Sequence, residues 1–502
     1  MVHRLREFGR KAFFPEGTDF LNAFAFALLL ILSATVPFLY EMPSSGARDA
    51  MGGGAVLPRG DLLLELFAFI LLAATLLSRS RLDGLRPLAL PGAALVLLAV
   101  LGVVQLLPLP YGLLDLAAAR NLQIYHDSGE ILGLFGRGNP SAARISVAPG
   151  ETLGTVLLIL AYGAVFLSAV SLLSTRSRRR FFLWTIFASA ILQIVAAILR
   201  EGPGHRLHGP FVNPNHFSAY LEVVLAFAFA TILAAALTSG DRAERGDPAA
   251  DRLEKRFLPV AGGVLIWAVL ALGIGLTGSR GGLLSAFLTT LCLLFLAARR
   301  RPARAPARAI AAVGVALLGG ALLVMRAAGS EPFMRFLHLD PRDLGSNTRV
   351  VLWRTSVAAW RQFPIVGSGL GTFREAFRRA QPRELPGLVE QAHSDFLQLL
   401  VTGGGIGAAL GLLLFGSLFI ILLRAWKNQK HREESALALA GIGALASLTL
   451  HGLVDFNLSI PAVPTILACA LGCAWAAARY SRGSRRKAET SKRPMPELRA
   501  EG

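Results

Sequence analysis

Three pieces of one polar stretch decide the reading: SNTRVVLWRTSVAAWRQFP (346–364), GSGLGTFREAFRRAQP (367–382) and QAHSDFLQLL (391–400). They belong to residues 327–396, the one long polar interruption in a chain that otherwise reads as membrane, the last piece running on into the next apolar run. Nine arginines fall between Arg335 and Arg383. The surroundings fix the setting. Of the 502 residues, 54% are hydrophobic and 17% charged, and the mean hydropathy is +0.54. Apolar runs of about 18 or more residues recur, the length a helix needs to cross hydrocarbon.

The expectation is an all-α polytopic membrane protein with about twelve transmembrane helices. Spans are expected at 20–40, 60–78, 88–107, 151–173, 181–199, 216–237, 257–277, 282–298, 309–326, 396–423, 435–457 and 460–478. A long helical loop then separates spans 9 and 10. The chain divides into an N-terminus (1–19), a membrane domain of nine spans (20–326), the loop (327–395), a membrane domain of three spans (396–478) and a basic tail (479–502).

Lys and Arg set the orientation, because they are retained on the cytoplasmic side. Alternate loops are crowded with them: Arg4, Arg6, Arg10 and Lys11; Arg79, Arg81 and Arg86; Arg176, Arg178, Arg179 and Arg180; the run RRRPARAPAR (299–308); and the tail from Arg479. The intervening short loops hold few, such as Arg48, Arg59, Arg120, Arg200, Arg206 and Arg280. Both termini are therefore expected in the cytoplasm, and the 327–395 loop on the other face. Long loops cross largely regardless of charge, so orientation leaves its arginines unexplained and an anionic ligand becomes a candidate. The net charge of +19 is that of positive cytoplasmic loops rather than of a nucleic-acid binder. Cys292, Cys469 and Cys473 all fall in apolar runs, with no disulfide framework and no metal-ligand spacing. The first apolar run is too long for a cleavable signal peptide and lacks a small-residue cleavage site.

Polar groups gather in four places. In HRLHGPFVNPNHFSAYLE (205–222), Asn213 or Asn215 can cap span 6, with His216 in its first turn. In LTGSRGGLLS (276–285), Ser279 can cap span 8, and Arg280 either snorkels to lipid phosphates or faces an anion. In the long loop, Ser346 or Asn347 can start a helix with Val350, Trp353, Val357 and Trp360 as an apolar stripe and Arg354 and Arg361 off it. A second loop helix is expected over 372–381. His393 then precedes span 10, with Ser394 or Asp395 in capping range. A helix dipole disfavours imidazolium there, leaving His393 neutral and able to accept a proton. In HGLVDFN (451–457), His451 and Asp455 would share a helix face near the end of span 11, where intramembrane ionisable groups mark function unless they satisfy each other.

Spans 6, 8 and 10 all start on the side carrying the loop. Their positive dipole ends, bearing Asn215 and His216, Ser279 and Arg280, and His393 and Asp395, would together form an anion site. A lipid-linked diphosphate suits it, with its phosphates at headgroup depth.

FVNPNHFSAYL, LTGSRGGLL, the SNTR…W…P-x-x-G-x-G-L-G-x-F run, HSDFLQLLVTGGGIG and HGLVDFNL, in this order, resemble the O-antigen ligase and O-antigen polymerase superfamily of bacterial envelopes, over roughly 150–475. Many relatives have His-Asn where this chain has His393-Ser394. The resemblance implies a C-type glycosyltransferase fold, a polyprenyl-diphosphate-linked glycan as donor, inversion at the anomeric centre, and no metal or other cofactor. It implies an acceptor that is a glycan, a lipid A core or a protein, and a site on the periplasmic face of the inner membrane. By motif, Arg280 and Arg349 would hold the diphosphate, with Arg354 and Arg206 as weaker candidates, and His393 would be the general base. The alternatives are a multi-span transporter or flippase, and a non-catalytic envelope scaffold. Against the former, SRSRLDGLRP after span 2 lacks a Gly-Asp-Arg signature.

Overall fold

A computed structural model describes residues 19–40, 58–78, 85–134, 143–202, 205–242, 258–299, 314, 319, 348–383, 385 and 387–491. The expected ninth span (309–326) apart from residues 314 and 319, the start of the loop with Ser346 and Asn347, the first eighteen residues and the end of the tail lie outside the described residues.

Among these residues the chain folds into α1 (Phe20–Thr35), α2 (Pro58–Leu77), α3 (Ala89–Leu106), α4 (Tyr111–Leu134), α5 (Pro149–Leu172), α6 (Arg176–Glu201), α7 (Pro214–Arg242), α8 (Leu258–Leu276), α9 (Arg280–Arg299), α10 (Thr348–Trp360), α11 (Phe373–Arg378), α12 (Asp395–Asn428), α13 (Arg432–His451) and α14 (Ala462–Ser491). The only strand pairing among the described residues is a single bridge from Leu109 to Ala143. Eleven helices among the described residues are long and apolar enough to cross a membrane. The molecule is an all-helical polytopic membrane protein.

Burial sorts these helices. α7, α13 and α14 are 78–83% buried along their apolar windows, whereas α8 and α9 are 33% buried. α13 supports this central position with small side chains, Ala436, Ala438, Ala440 and Ala444 among them, which let neighbouring backbones close in. At the end where α6 and α13 begin, Arg176 and the fully buried Arg179 lie 2.6 and 3.4 Å from Glu434, and Arg180 lies 2.9 Å from Glu433.

α12 is not continuous. Gly404 has φ 64° and ψ −164°, which breaks the helix inside its apolar run. Backbone groups freed there would be orphaned in hydrocarbon. The connector after α10 satisfies them: Gly405 and Ile406 donate to the carbonyls of Pro364 and Ile365 at 2.8 and 3.1 Å, and Ser368 and Gly369 donate to Val401 and Thr402 at 3.1 and 3.0 Å. Gln105 of α3 locks the join, donating to Val366 O at 2.6 Å and accepting from Leu370 N at 2.9 Å. Asn121 of α4 donates to Ile145 O and, at 3.4 Å, to Gly367 O.

Two loop expectations are corrected. The buried face of α10 is Leu352, Thr355, Ser356 and Ala359, while Val350, Trp353, Val357 and Trp360 are only half-buried. The two indoles sit at the edge because each donates to a backbone carbonyl, Trp353 to His393 at 3.1 Å and Trp360 to Pro364 at 3.3 Å. The second loop helix covers Phe373–Arg378 alone, with Arg374 and Arg378 exposed.

Candidate functional site

α7, α9 and α12 begin at one end of the bundle, and α13 finishes there. The turn after α13 crosses between their starts and supplies Asp455. Its carboxylate, in a side chain 1% exposed, is the hub of the site. Oδ2 accepts from Asn215 Nδ2 at 2.6 Å and Arg349 Nη2 at 3.4 Å. Oδ1 lies 3.3 Å from His393 Nδ1 and accepts from the Phe456 amide at 3.0 Å. Burial alone would raise this carboxyl's pKa. The hydrogen bond from His393 and the charges of His216 and Arg349 outweigh burial and hold it well below the usual carboxylate range.

His393 reaches Asp455 from a strained backbone. With φ 48° it is the only described non-glycine residue at positive φ, a conformation that costs about 1–3 kcal/mol and collects at functional sites. The surroundings enforce it. Its carbonyl accepts from Trp353, the Ala392 amide donates to Gln398 at 2.8 Å, and the Asp395 amide donates to Gly452 O at 2.8 Å. Phe456 stands edge-on to the rings of both His393 and His216, at 4.8 and 4.6 Å between centroids. Pairing Nδ1 with Asp455 leaves Nε2, on a side chain 34% exposed, as the nitrogen available to a ligand.

The sequence candidates fall into three groups. Asn215, Arg349, His393 and Asp455 meet directly. Arg206 joins them through Asn215, whose Oδ1 it reaches at 3.1 Å, while its Nε donates at 2.8 Å to Thr277 O just past α8. Asn213 rather than Asn215 caps α7, its Oδ1 accepting from the Asn215 amide at 2.9 Å. His216 hydrogen-bonds Asn457 at 3.0 Å. Ser279 caps α9 through the Gly282 amide at 3.1 Å. Arg280, exposed, heads α9 at the rim of the hub, since the next residue, Gly281, lies against His451 and Val454. Ser394 rather than Asp395 caps α12, and Asp395 Oδ1 accepts instead from the Leu458 amide at 3.0 Å. Arg354 is exposed on α10, and no hydrogen bond or ion pair among the described residues joins it to the hub.

One expectation is overturned. His451 and Asp455 do not share a helix face, because α13 stops at His451 and Asp455 belongs to the turn beyond Gly452. Nor do they satisfy each other: His451 pairs with Glu222 at 2.8 Å. Glu222 was legible as a carboxylate in an apolar span, the signal that marks intramembrane function, yet only its neighbours in HFSAYLE were singled out.

Beside the segment 390–398 lies a cavity of about 1120 Å³ between α3, α5, α12 and α14. Its walls are apolar, with Leu95, Leu158, Phe415 and Leu467 among them, and its polar lining is mostly acidic, with Glu151, Glu375, Glu390 and Asp395 beside Arg374.

Replacing the hub's carboxylate by an amide tests its role. Asp455→Asn is expected to cut any reaction that uses His393 by roughly 10²-fold or more, because the ring loses its orienting anion. The check is the turnover of folded protein, judged by an unchanged elution profile in detergent.

Residues 264–412 match a family model described as O-antigen ligase. No curated protein matches the chain. The matched segment carries Arg280, Arg349, Arg354, His393 and Asp395. Arg206, Asn215 and Asp455 lie outside it and reach the same site through the fold.

Proposed function

We propose that this chain, whose residues 264–412 match the O-antigen ligase family model, is a membrane glycosyltransferase moving a glycan from a polyprenyl-diphosphate carrier to an acceptor hydroxyl. The observation carrying this reading is the convergence on Asp455 of a histidine with one open ring nitrogen and an arginine, beside the arginine that opens α9. In this reading the site faces the periplasm, both termini lie in the cytoplasm, and the membrane is the bacterial inner membrane. The connector before α12 then forms the periplasmic loop, flanked by the two membrane domains.

Each part has a role. The acceptor hydroxyl gives its proton to His393 Nε2 as its oxygen bonds to the anomeric carbon. The bond from that carbon to the diphosphate oxygen breaks on the opposite side, so configuration inverts. The electron pair leaves with the polyprenyl diphosphate. Charge grows on those oxygens in the transition state, and guanidinium groups placed on them lower the barrier directly. Arg280 and Arg349 take that role. Arg349 donates to Asp455 through Nη2, and its side chain is 38% exposed. Arg206 and Arg354 are weaker contributors, the first already holding Thr277 O and Asn215, the second standing apart from the hub. Asp455 orients His393 and stabilises the imidazolium that forms. Neither a metal nor another cofactor is assigned a part. The apolar cavity beside 390–398 gives the carrier's chain a berth inside the fold.

The test is incubation of purified protein with a polyprenyl-diphosphate oligosaccharide. Chains that lengthen without another acceptor mark a polymerase, and transfer to added lipid A core or protein marks a ligase. Release of no polyprenyl diphosphate under any of these conditions overturns the reading. Arg280→Ala is expected to weaken binding of polyprenyl diphosphate by about tenfold, the loss of one or two charged hydrogen bonds, measured by titration in detergent.

A further inference from the structure

Glu222 sits on α7, two turns below Asn215, roughly 10 Å along the helix axis. It is 1% exposed, deep in the bundle. Its carboxylate is gripped by four side chains from three helices. Oε1 takes Ser218 of its own helix at 3.2 Å and His451 Nδ1 of α13 at 2.8 Å. Oε2 takes Ser285 of α9 and Ser447 of α13, each at 2.7 Å. All four partners are themselves no more than 1% exposed. His451 offers nothing to a substrate, since its Nε2 is buried against Gly281 with no hydrogen-bond partner among the described residues.

The network joins three of the helices that carry the site. α7 carries Asn215, α9 carries Arg280, and α13 leads into the turn that carries Asp455. The two glycines after Arg280 belong to the same arrangement. A Cβ at Gly282 would fall on Ser218 Oγ and within 2.9 Å of Glu222 Oε1, and one at Gly281 would come within 3.0 Å of His451. The start of α9 therefore presses its bare backbone onto the carboxylate network, and Arg280 is the residue at which the helix leaves that contact. A buried carboxylate without partners is costly in hydrocarbon. Here its need for donors is what pulls three helices to one depth.

We propose that Glu222 is a positioning residue of the diphosphate site, a carboxylate clasp that holds the starts of α7 and α9 and the end of α13 in register so that Arg280, Asn215 and Asp455 face one ligand. This rests on the functional reading above. Glu222 touches no substrate. Without it, Ser285, Ser447 and His451 lose their common acceptor and α9 is free to slide.

The test uses the full-length protein in detergent and polyprenyl diphosphate as the probe. Glu222→Ala is expected to raise the dissociation constant about tenfold or more, comparable to losing a charged hydrogen bond at the site itself. Glu222→Gln keeps the shape, and the serine hydroxyls can turn to accept from its amide, so it should bind within about threefold of wild type. Gly282→Ala leaves the carboxylate in place but wedges α9 away, and should weaken binding as Glu222→Ala does. It also carries the test if Glu222→Ala does not fold. Thermal midpoints are recorded for each variant. Lower midpoints with unchanged affinity in the folded fraction would reduce Glu222 to a stability element and overturn the proposal, as would equal weakening by Gln and Ala. If Arg280→Ala and Arg349→Ala weaken binding and neither Glu222→Ala nor Gly282→Ala does, only the positioning role falls. If the arginine variants bind like wild type, the anion-site reading itself falls.

Discussion

If the chain is the glycosyltransferase proposed above, His393→Ala is expected to cut glycan transfer roughly 10²–10⁴-fold below wild type, the loss that follows removal of a positioned base. The expectation follows from how little else in the site can take a proton. His216 is buried against Asn457, and Asp455 is already engaged by Asn215, Arg349 and His393. The substitution should not unfold the protein. The contacts that shape this stretch are made by the His393 backbone and its neighbours, and a side chain one-third exposed contributes little packing. Binding of polyprenyl diphosphate should therefore change far less than turnover. Full transfer by this variant would remove the base assignment and leave the arginine cluster as an anion site without an acid–base partner.

Gly367→Ala and Gly404→Ala are each expected to cost roughly 3 kcal/mol or more of stability, combining left-handed strain with a backbone clash. Both glycines have positive φ, 76° and 64°. A Cβ at Gly367 would overlap the Thr402 carbonyl, and one at Gly404 would overlap the Ile365 carbonyl. In each case the obstacle is backbone, which cannot swing aside as a side chain can. Gly416→Ala is the control from the same helix. It meets nothing within 4 Å, so trading glycine for the best helix former should be neutral or stabilise by up to about 1 kcal/mol. Thermal unfolding in detergent separates the two classes. Equal midpoints for all three variants would mean that the connector does not depend on its seat in α12.

Much of this was written in the chain. The described spans fall within a few residues of where apolar runs place them, because a stretch that must fill hydrocarbon has its length set by the bilayer. The exceptions are instructive. α13 ends at His451 rather than 457 because the turn carrying Asp455 is fixed by hydrogen bonds to Asp395 and Asn215, residues far away in sequence. Asn215 and His393 were visible as polar groups at helix starts that span counting brings to one side, whereas Arg349 came from the motif resemblance and Asp455 was expected on a helix face with His451. The stripe on α10 failed because Val350, Trp353, Val357 and Trp360 have helical spacing, yet the small Thr355, Ser356 and Ala359 allow closer approach and won the buried face. The glycines at 367, 369 and 371 could not be explained locally. Their reasons are the Thr402 carbonyl, Ser146 and Thr155, partners on three different segments.

The break at Gly404 bears on how a substrate arrives. Residues 364–369 lend their own amides and carbonyls to a helix inside the bilayer, so they act as a keystone, and lifting them would bare unpaired peptide groups to oil. Any rearrangement the proposed reaction requires would have to leave this point in place.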